Sequence, residues 1–192
     1  MYWAYGWPQT LRGTAGTECV VGNTDRSLLG LLSRNELSIW HFRPSLRIVG
    51  HKRDDQSLQE FGSNVQMVWR PDSTLIVVQT DQDFLLFYNL VINSSDGHLF
   101  DQKDVDVSGL RRESSELFVT EKIPSLLLML SFSTQITTGI KCLMAAEEEI
   151  VIGTKNGEIC GVHWDGNIDD SFIWKLTSKT FSATDDINVV DI

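Results

Sequence analysis

The chain has few cysteines and no long apolar run, and each shortage excludes a class of protein. Cys19, Cys142 and Cys160 are scattered and form no C-x-x-C pair, which argues against both a disulfide framework and a zinc site. We therefore predict reduced thiols, no metal and no cofactor. The longest apolar run, Leu126–Leu130, is too short to span a bilayer, and Met1–Thr10 lacks the basic region of a signal peptide. These absences predict no direct membrane insertion.

Basic residues are also scarce, with 16 Lys and Arg against 26 Asp and Glu and a net charge of −10 over 192 residues. An acidic surface repels phosphate backbones, so we predict that the chain does not bind nucleic acid unaided. One basic stretch contains Arg43, Arg47, Lys52 and Arg53. We interpret it as a loop with ordinary solubilising charges, and contact with an acidic partner surface is the alternative.

Catalytic motifs are missing as well. The sequence contains neither a G-x-S-x-G nucleophile elbow nor a G-x-x-x-x-G-K phosphate loop. The histidines, at His41, His51, His98 and His163, lack the spacing of metal ligands, so we interpret them as packing or hydrogen-bonding groups. We therefore predict a non-catalytic protein, without catalytic, cofactor-binding or metal-binding residues.

Acidic residues occur in short clusters that could in principle act in acid–base catalysis. The clusters are Asp54-Asp55, Asp169-Asp170, Asp185-Asp186 and the run Glu147–Glu149. Neighbouring carboxylates on loops are more often solvated, so we interpret all four clusters as solvent-facing.

The pattern that is present has a period of two residues, which is typical of β-strands. Three segments share one layout. Each consists of a strand, a polar hairpin turn and a second strand that ends on an aromatic residue. The strand pairs are Arg26–Leu32 with Leu37–Trp40, Thr74–Val78 with Phe84–Tyr88, and Glu149–Gly153 with Ile159–Asp165. Asn156-Gly157 predicts a type I′ turn in the third hairpin, since both central positions of that turn need positive φ. Val68–Ser73 predicts a further strand that turns into the second pair through Pro71.

The spacing of these segments indicates an internal repeat. Trp40 and Tyr88 are 48 residues apart, close to the period of roughly 40–45 residues in WD40 proteins. The gap from Tyr88 to Trp164 is 76 residues. We attribute the excess to a polar insertion between blades at residues 93–121, after which Ile123–Phe132 resumes strand character. Phe181–Ile192 reads as the first strand of another blade.

These features predict an all-β fold over residues 1–192, a WD40-like β-propeller that is incomplete, with about three blades and the start of a fourth. Trp164-Asp165 stands where the WD dipeptide of such a blade falls. We interpret the strand-ending tryptophans as inter-blade core and leave the roles of Trp3 and Trp7 open. The alternative fold is a β-sandwich with regular hairpins. We expect a fragment or truncated product whose open edge is exposed and which is unstable alone.

Five blocks carry a more specific likeness. They are Gly6-Trp7-Pro8, Leu37–Ser45, Phe61–Ser63, Trp69–Thr74 and His163–Gly166. In this order they resemble the N-terminal propeller of the Ric subunit of the Ric–Rgp guanine-nucleotide exchange complex. The likeness covers nearly the whole chain. In that family a long, mostly helical region follows the propeller, and the chain does not contain it.

The resemblance implies a regulatory, protein-binding propeller in a complex that activates a Golgi Rab GTPase in endosome-to-Golgi retrograde transport. It implies two partners, a second Rgp-like subunit and the Rab, and a cytosolic protein that lies peripherally at Golgi membranes. The main alternative is a generic WD40 scaffold of another trafficking or coat assembly. A propeller hydrolase or lyase is a third possibility, but its required set of channel-facing histidines and carboxylates is not apparent.

Overall fold

Six-residue stretches rich in apolar residues form most of the strands, and turns rich in Asp, Asn, Ser and Gly separate them. In the computed structural model, residues 16–41, 47–92 and 126–175 are described. Sheet 1 consists of β1 (Thr17–Gly22), β2 (Leu28–Ser33), β3 (Glu36–His41) and β4 (Arg47–Lys52). Sheet 2 consists of β5 (Asn64–Trp69), β6 (Leu75–Thr80), β7 (Phe84–Ile92) and β8 (Leu126–Gln135). Sheet 3 consists of β9 (Ile140–Ala145), β10 (Glu149–Thr154), β11 (Glu158–His163) and β12 (Ile168–Lys175).

Each sheet is an antiparallel meander in which the spatial order of the four strands follows their order in the chain. The first strands of neighbouring sheets lie side by side, β1 beside β5 and β5 beside β9. Four-stranded meanders packed face to face in series are the blades of a propeller. The predicted incomplete β-propeller with three blades is therefore confirmed, and the β-sandwich alternative is wrong because each sheet is a separate unit.

Two hydrophobic cores lie on opposite faces of sheet 2. Along β6, Ile76 and Val78 belong to the core shared with sheet 1, whereas Leu75 and Val77 belong to the core shared with sheet 3. These four side chains are at most 5% exposed. A strand buried on both faces reads as a continuous apolar run, which explains the sequence Leu-Ile-Val-Val.

The strand-ending tryptophans divide between core and non-core positions. Trp69 packs in the first core and Trp164 in the second, and their indole N–H groups donate to the backbone carbonyls of Val21 and Glu147 at 3.1 and 3.2 Å. The inter-blade interpretation is confirmed for these two residues. Trp40 is also buried, but it lies outside both cores and donates to Ser38 Oγ.

A short helix, α1 (Asp55–Phe61), joins sheet 1 to sheet 2 and was not expected from the sequence. Asp54 caps its N-terminus, because the carboxylate accepts a hydrogen bond from the backbone N–H of Ser57 at 2.7 Å. Gly62 follows the last helical residue with a φ of 80°. Asp54 and Asp55 are exposed, which confirms the solvent-facing interpretation, but they form the cap and first turn of this helix and not a loop.

The hairpin between β10 and β11 differs from the predicted type I′ turn. Gly157 has a φ of 77°, but Asn156 is not among the residues with positive φ, so only one of the two positions is left-handed. The Gly157 N–H donates to the Thr154 carbonyl at 3.2 Å, and the Glu158 N–H donates to Thr154 Oγ1 at 3.0 Å. The Thr154 hydroxyl thus stabilises a turn whose fourth residue, Gly157, is left-handed. The prediction from the Asn-Gly pair did not take this hydroxyl into account.

Several predictions fall outside the described residues. These are the polar insertion at 93–121, the blade start at Phe181–Ile192, the aromatic residues Trp3 and Trp7, the basic residue Arg43, the imidazole of His98 and the acidic pair Asp185-Asp186.

Candidate interaction surface

The meander topology gathers two kinds of connection at one end of the three sheets. The turn between the second and third strands of each blade lies at the same end as the connection from one blade to the next. We call this end the connection face, formed by residues 34–35, 53–63, 81–83, 136–139 and 155–157. Loops held by a rigid β-scaffold are where binding residues concentrate, so this end is the first candidate for protein contact.

Backbone hydrogen bonds join the loops of the connection face to one another. The Asn64 N–H donates to the Arg34 carbonyl at 2.8 Å, and the Asp81 N–H donates to the Ser63 carbonyl at 2.9 Å. The Lys155 N–H donates to the Gly139 carbonyl at 3.1 Å. The first bond links sheet 2 to sheet 1, and the other two join a hairpin turn to the connection that leads into its blade, which fixes the relative positions of these loops.

Arg53 organises the loop between the first two blades. Its side chain is buried, with Nη1 donating to the Gly62 carbonyl at 2.6 Å and to Asn64 Oδ1 at 2.8 Å. Nε and Nη2 donate to the hydroxyl and carbonyl oxygens of Ser57 at 3.0 and 2.8 Å. The guanidinium is thus satisfied by neutral oxygens, and its planar shape suits this divergent set of acceptors.

This geometry corrects the interpretation of the basic stretch as a loop with solubilising charges. Arg47 and Lys52 lie at the two ends of strand β4, and the Lys52 side chain is exposed. Arg53 is turned inward, so it contributes no charge to a basic surface. The described part of the stretch consequently offers no continuous basic patch to an acidic partner.

Asp83 links sheet 2 to sheet 3 on the connection face. Its carboxylate accepts hydrogen bonds from Lys155 Nζ at 2.8 and 2.9 Å and from the backbone N–H of Ile140 at 2.8 Å. Burial acts to raise the pKa of this carboxyl, but the hydrogen bonds and the lysine charge outweigh it and lower the pKa overall. The carboxylate is therefore ionised at neutral pH and holds the two blades together electrostatically.

A cleft of about 410 Å³ opens at the edge of the connection face, beside the first strand of sheet 1. Its lining includes the polar residues Ser33, Arg34, Asn35 and Ser63, with Leu58 from helix α1. Arg34 is largely exposed and only weakly paired, with Nε 3.9 Å from the Glu18 carboxylate. The cleft thus presents a cation, a carboxylate, an amide and hydroxyls beside apolar surface.

The opposite end of the sheets carries a repeated turn. Asp25, Asp72 and Asp165 each accept a hydrogen bond from the backbone N–H two residues later, at 2.9 to 3.0 Å. Hydrogen bonds from Ser27 and Asn167 lower the pKa of Asp25 and Asp165. The aspartate of the Trp164-Asp165 dipeptide therefore stabilises a turn, and nothing in its contacts assigns it a binding role.

The remaining polar residues are dispersed. Among the described residues, no group of three or more His, Cys, Asp or Glu side chains is placed to hold a metal ion. His51 is buried and packs edge to face against Tyr88 with ring centroids 5.0 Å apart, whereas His163 is exposed. Glu147 and Glu148 are exposed in the turn before β10, as expected for solvent-facing residues, but Glu149 is half-buried in β10 with Oε2 inside, so that interpretation is wrong for Glu149.

The cysteines lie on three different strands. All three are free thiols within the described residues, with Cys142 exposed and Cys160 buried in the second core. Burial is the main cause that raises the pKa of the Cys160 thiol, and the charges of Glu158 and Glu149 add to it. A thiol with a raised pKa is a poor nucleophile, so Cys160 acts as a packing residue. In the same part of the chain, no helix is long and apolar enough to cross a bilayer.

The residues that build the connection face were mostly missed at the sequence level. Asp83 and Lys155 are 72 positions apart, and only the fold brings them together. The available signal was the shared hairpin pattern, since Thr80-x-x-Asp83 and Thr154-x-x-Gly157 occupy equivalent turns.

The order of the strands and the packing between the sheets define the class of protein. The described residues form a WD40-like propeller segment of three blades with polar loop surfaces. Comparison with known proteins then gives the likeness at the level of sequence. The chain is 29% identical over 188 residues to the guanine nucleotide exchange factor subunit RIC1 of Homo sapiens, which covers 95% of the chain and 13% of that protein. It is 28% identical over 170 residues to a guanine nucleotide exchange factor subunit of Caenorhabditis elegans, covering 88% of the chain and 12% of that protein. The resemblance to the Ric subunit is thereby confirmed.

The chain spans only about an eighth of the length of these relatives. No family model matches it. Among solved structures, the β-propeller domain of Myceliophteria thermophila Cps50 (Swd1) aligns with a TM-score of 0.49 and 13% identity, over 84% of the chain and 43% of that domain. This likeness is too distant to add to the fold assignment, which stands on the sheet order and the two cores.

Proposed function

We propose that the chain is a protein-binding propeller of a guanine-nucleotide exchange complex that activates a Golgi Rab GTPase in endosome-to-Golgi retrograde transport. The observation that carries this proposal is the similarity of 95% of the chain to a protein named as an exchange factor subunit. The proposal includes two partners, a second, Rgp-like subunit and the Rab itself. The protein acts from the cytosol, peripherally at Golgi membranes.

The structure supports a role through contact rather than through chemistry. An exchange factor opens the nucleotide site of its GTPase partner, so it needs a stable surface and no phosphate-binding loop of its own. The connection face supplies such a surface, because backbone hydrogen bonds and the Asp83–Lys155 pair fix its loops across blades. We accordingly propose that the propeller is non-catalytic by itself and positions its partners.

Affinity purification of the tagged endogenous protein tests this function. We expect a second subunit to be retained in stoichiometric amount together with a Golgi Rab, as identified by mass spectrometry. The purified assembly is expected to accelerate release of a fluorescent GDP analogue from that Rab, and the tagged protein to coincide with a Golgi marker in cells.

Two other outcomes would contradict the proposal. Recovery of coat proteins in place of a GTPase and a second subunit would indicate a generic WD40 scaffold. An assembly that forms but leaves GDP release at the intrinsic rate would contradict the exchange activity while leaving the partnership intact.

A further inference from the structure

The outermost strands of the three blades differ in how well their free edges are protected. An outermost strand presents unpaired N–H and C=O groups, and proteins usually protect it with charged residues or proline. β4 carries Arg47 and Lys52, and β12 carries Asp169, Asp170 and Lys175. β8 has the sequence Leu-Leu-Leu-Met-Leu-Ser-Phe-Ser-Thr-Gln and contains neither a charge nor a proline.

β8 is also the longest of the described strands, with ten residues. It stands last in its sheet, and no strand within the described residues pairs with its outer edge. A long, uncharged edge is a template for adding another strand, and β-strand addition is a recurring mode of peptide recognition.

The C-terminal half of β8 is the accessible part. Leu127, Leu128 and Leu130 are at most 4% exposed, whereas the side chains of Ser133 and Gln135 are exposed. Two residues in this half are held in place by contacts. The Phe132 ring stacks on the Phe87 ring with centroids 4.4 Å apart, and Thr134 Oγ1 donates to the Gly166 carbonyl at 2.9 Å. This half is therefore a preorganised edge, which lowers the entropic cost of pairing.

We propose that the edge of β8 at Ser131–Gln135 binds an extended segment of the second subunit of the exchange complex by strand addition. The inference rests on the proposed function, which supplies the second subunit. Only an extended backbone presents N–H and C=O groups at the spacing that a strand edge requires.

Charge selects among the possible occupants of this edge. The chain has a net charge of −10, so edge-to-edge pairing with a second copy would bring two strongly acidic molecules together. Asp165, next to the Gly166 that Thr134 contacts, keeps an exposed carboxylate whose pKa hydrogen bonds from Asn167 hold low. A segment that is uncharged along the paired residues and carries a Lys or Arg at the end near Asp165 fits best.

Binding of the full chain to the purified second subunit tests the proposal, with Ser133→Lys as the edge variant. A lysine on an edge strand hinders pairing, and we expect the Kd to rise about tenfold. Two matched controls are expected to bind as the parent chain does. Ser133→Thr keeps the position uncharged, and Met144→Lys adds the same charge to an exposed position of β9, outside the connection face.

Hydrogen exchange supplies a readout that a merely structural effect of the substitution would not produce. We expect alternate amides between Phe132 and Gln135, beyond the register irregularity at Ser131, to become protected when the second subunit is added, because every second N–H of a regular edge strand points outward. Unchanged exchange at these amides in a complex that forms normally, with Ser133→Lys binding as tightly as Met144→Lys, would overturn the inference and leave the proposed function standing. Failure of the parent chain to bind the second subunit at all would overturn both.

Discussion

Arg53 shows how far the role of a single residue depends on its surroundings. It belongs to the basic stretch, yet it is 3% exposed and donates four hydrogen bonds to neutral oxygens of Ser57, Gly62 and Asn64. Burying a cation is costly unless such bonds compensate for lost hydration. The loop between the first two blades is therefore built around this side chain, and it fixes where helix α1 begins and where β5 starts.

Arg53→Lys is expected to destabilise the fold although it conserves the charge. A lysine ammonium cannot reproduce the divergent bonds of the guanidinium, and each acceptor left unpaired in the interior adds to the cost. We expect the free energy of unfolding to fall by about 2–3 kcal/mol, measured as a shift of the urea midpoint.

The control for this prediction is Arg34→Lys. Arg34 is 78% exposed and lies 3.9 Å from the Glu18 carboxylate, so the substitution is expected to change stability by less than about 0.5 kcal/mol. Equal midpoint shifts for the two variants would show that the Arg53 hydrogen bonds are not what stabilises the loop.

Among the structural elements, the second and third hairpins share one turn despite different sequences. In both, a threonine accepts the N–H three residues later at its carbonyl and the N–H four residues later at its hydroxyl: Thr80 from Asp83 and Phe84, Thr154 from Gly157 and Glu158. The fourth residue is left-handed in each case, with φ of 62° at Asp83 and 77° at Gly157. Asp83 accepts this conformation while its side chain makes the link to sheet 3.

Gly157→Ala is expected to destabilise the third hairpin by about 1 kcal/mol, because a Cβ is disfavoured at positive φ. No atom lies within 4 Å of the position of that Cβ, so the effect isolates backbone conformation from crowding. Thermal unfolding of the variant measures it. Gly157→Asn is the control, since asparagine tolerates this conformation, and an equal loss in both variants would point to a cause other than φ.

The second and third strands of the second and third blades were predictable because their period of two and their turn residues are local signals, whereas β9 and β12 were not predicted. Strand pairs expected at Thr74–Val78 with Phe84–Tyr88 and at Glu149–Gly153 with Ile159–Asp165 match β6, β7, β10 and β11 within a few residues. Helix α1 was missed because seven residues are too few to show helical periodicity, although Asp54 and Gly62 are suitable capping residues. The predicted type I′ turn was wrong because the Thr154 hydroxyl stabilises a different turn from the one that an Asn-Gly pair favours.

The contacts of the candidate surface could not be predicted in the same way. The Asp83–Lys155 pair and the cleft beside Arg34 join residues from different blades, and a sequence pattern does not specify the relative placement of blades. The sequence did indicate polar loops between the strands, because that follows from composition and turn residues alone.

At the scale of the whole molecule, the three sheets are not equally buried. Sheet 2 packs against a sheet on each face, whereas sheet 3 packs on sheet 2 through the second core only, as far as the described residues show. In repeat architectures stability is approximately the sum of each unit and its interfaces with neighbours. A terminal blade with one such interface is held less firmly than a central blade with two.

Native-state hydrogen exchange is expected to show this difference. Amides in β10 and β11 should open at lower free energy than those in β6 and β7, because Met144 and Cys142 remain exposed on the outer side of sheet 3. Uniform exchange across the three sheets would contradict this expectation.

The double burial of sheet 2 has a consequence for insertions and deletions. Neighbouring residues of β6 serve different cores, with Leu75 and Val77 on one side and Ile76 and Val78 on the other. Adding or removing one residue within this strand would exchange the two sets, so that each neighbouring blade met side chains shaped for the other. Both sets are aliphatic, so such a change would preserve hydrophobicity and still disrupt the fit at two interfaces. Length variation between related chains should therefore be confined to the connections between strands and excluded from the middle blade itself.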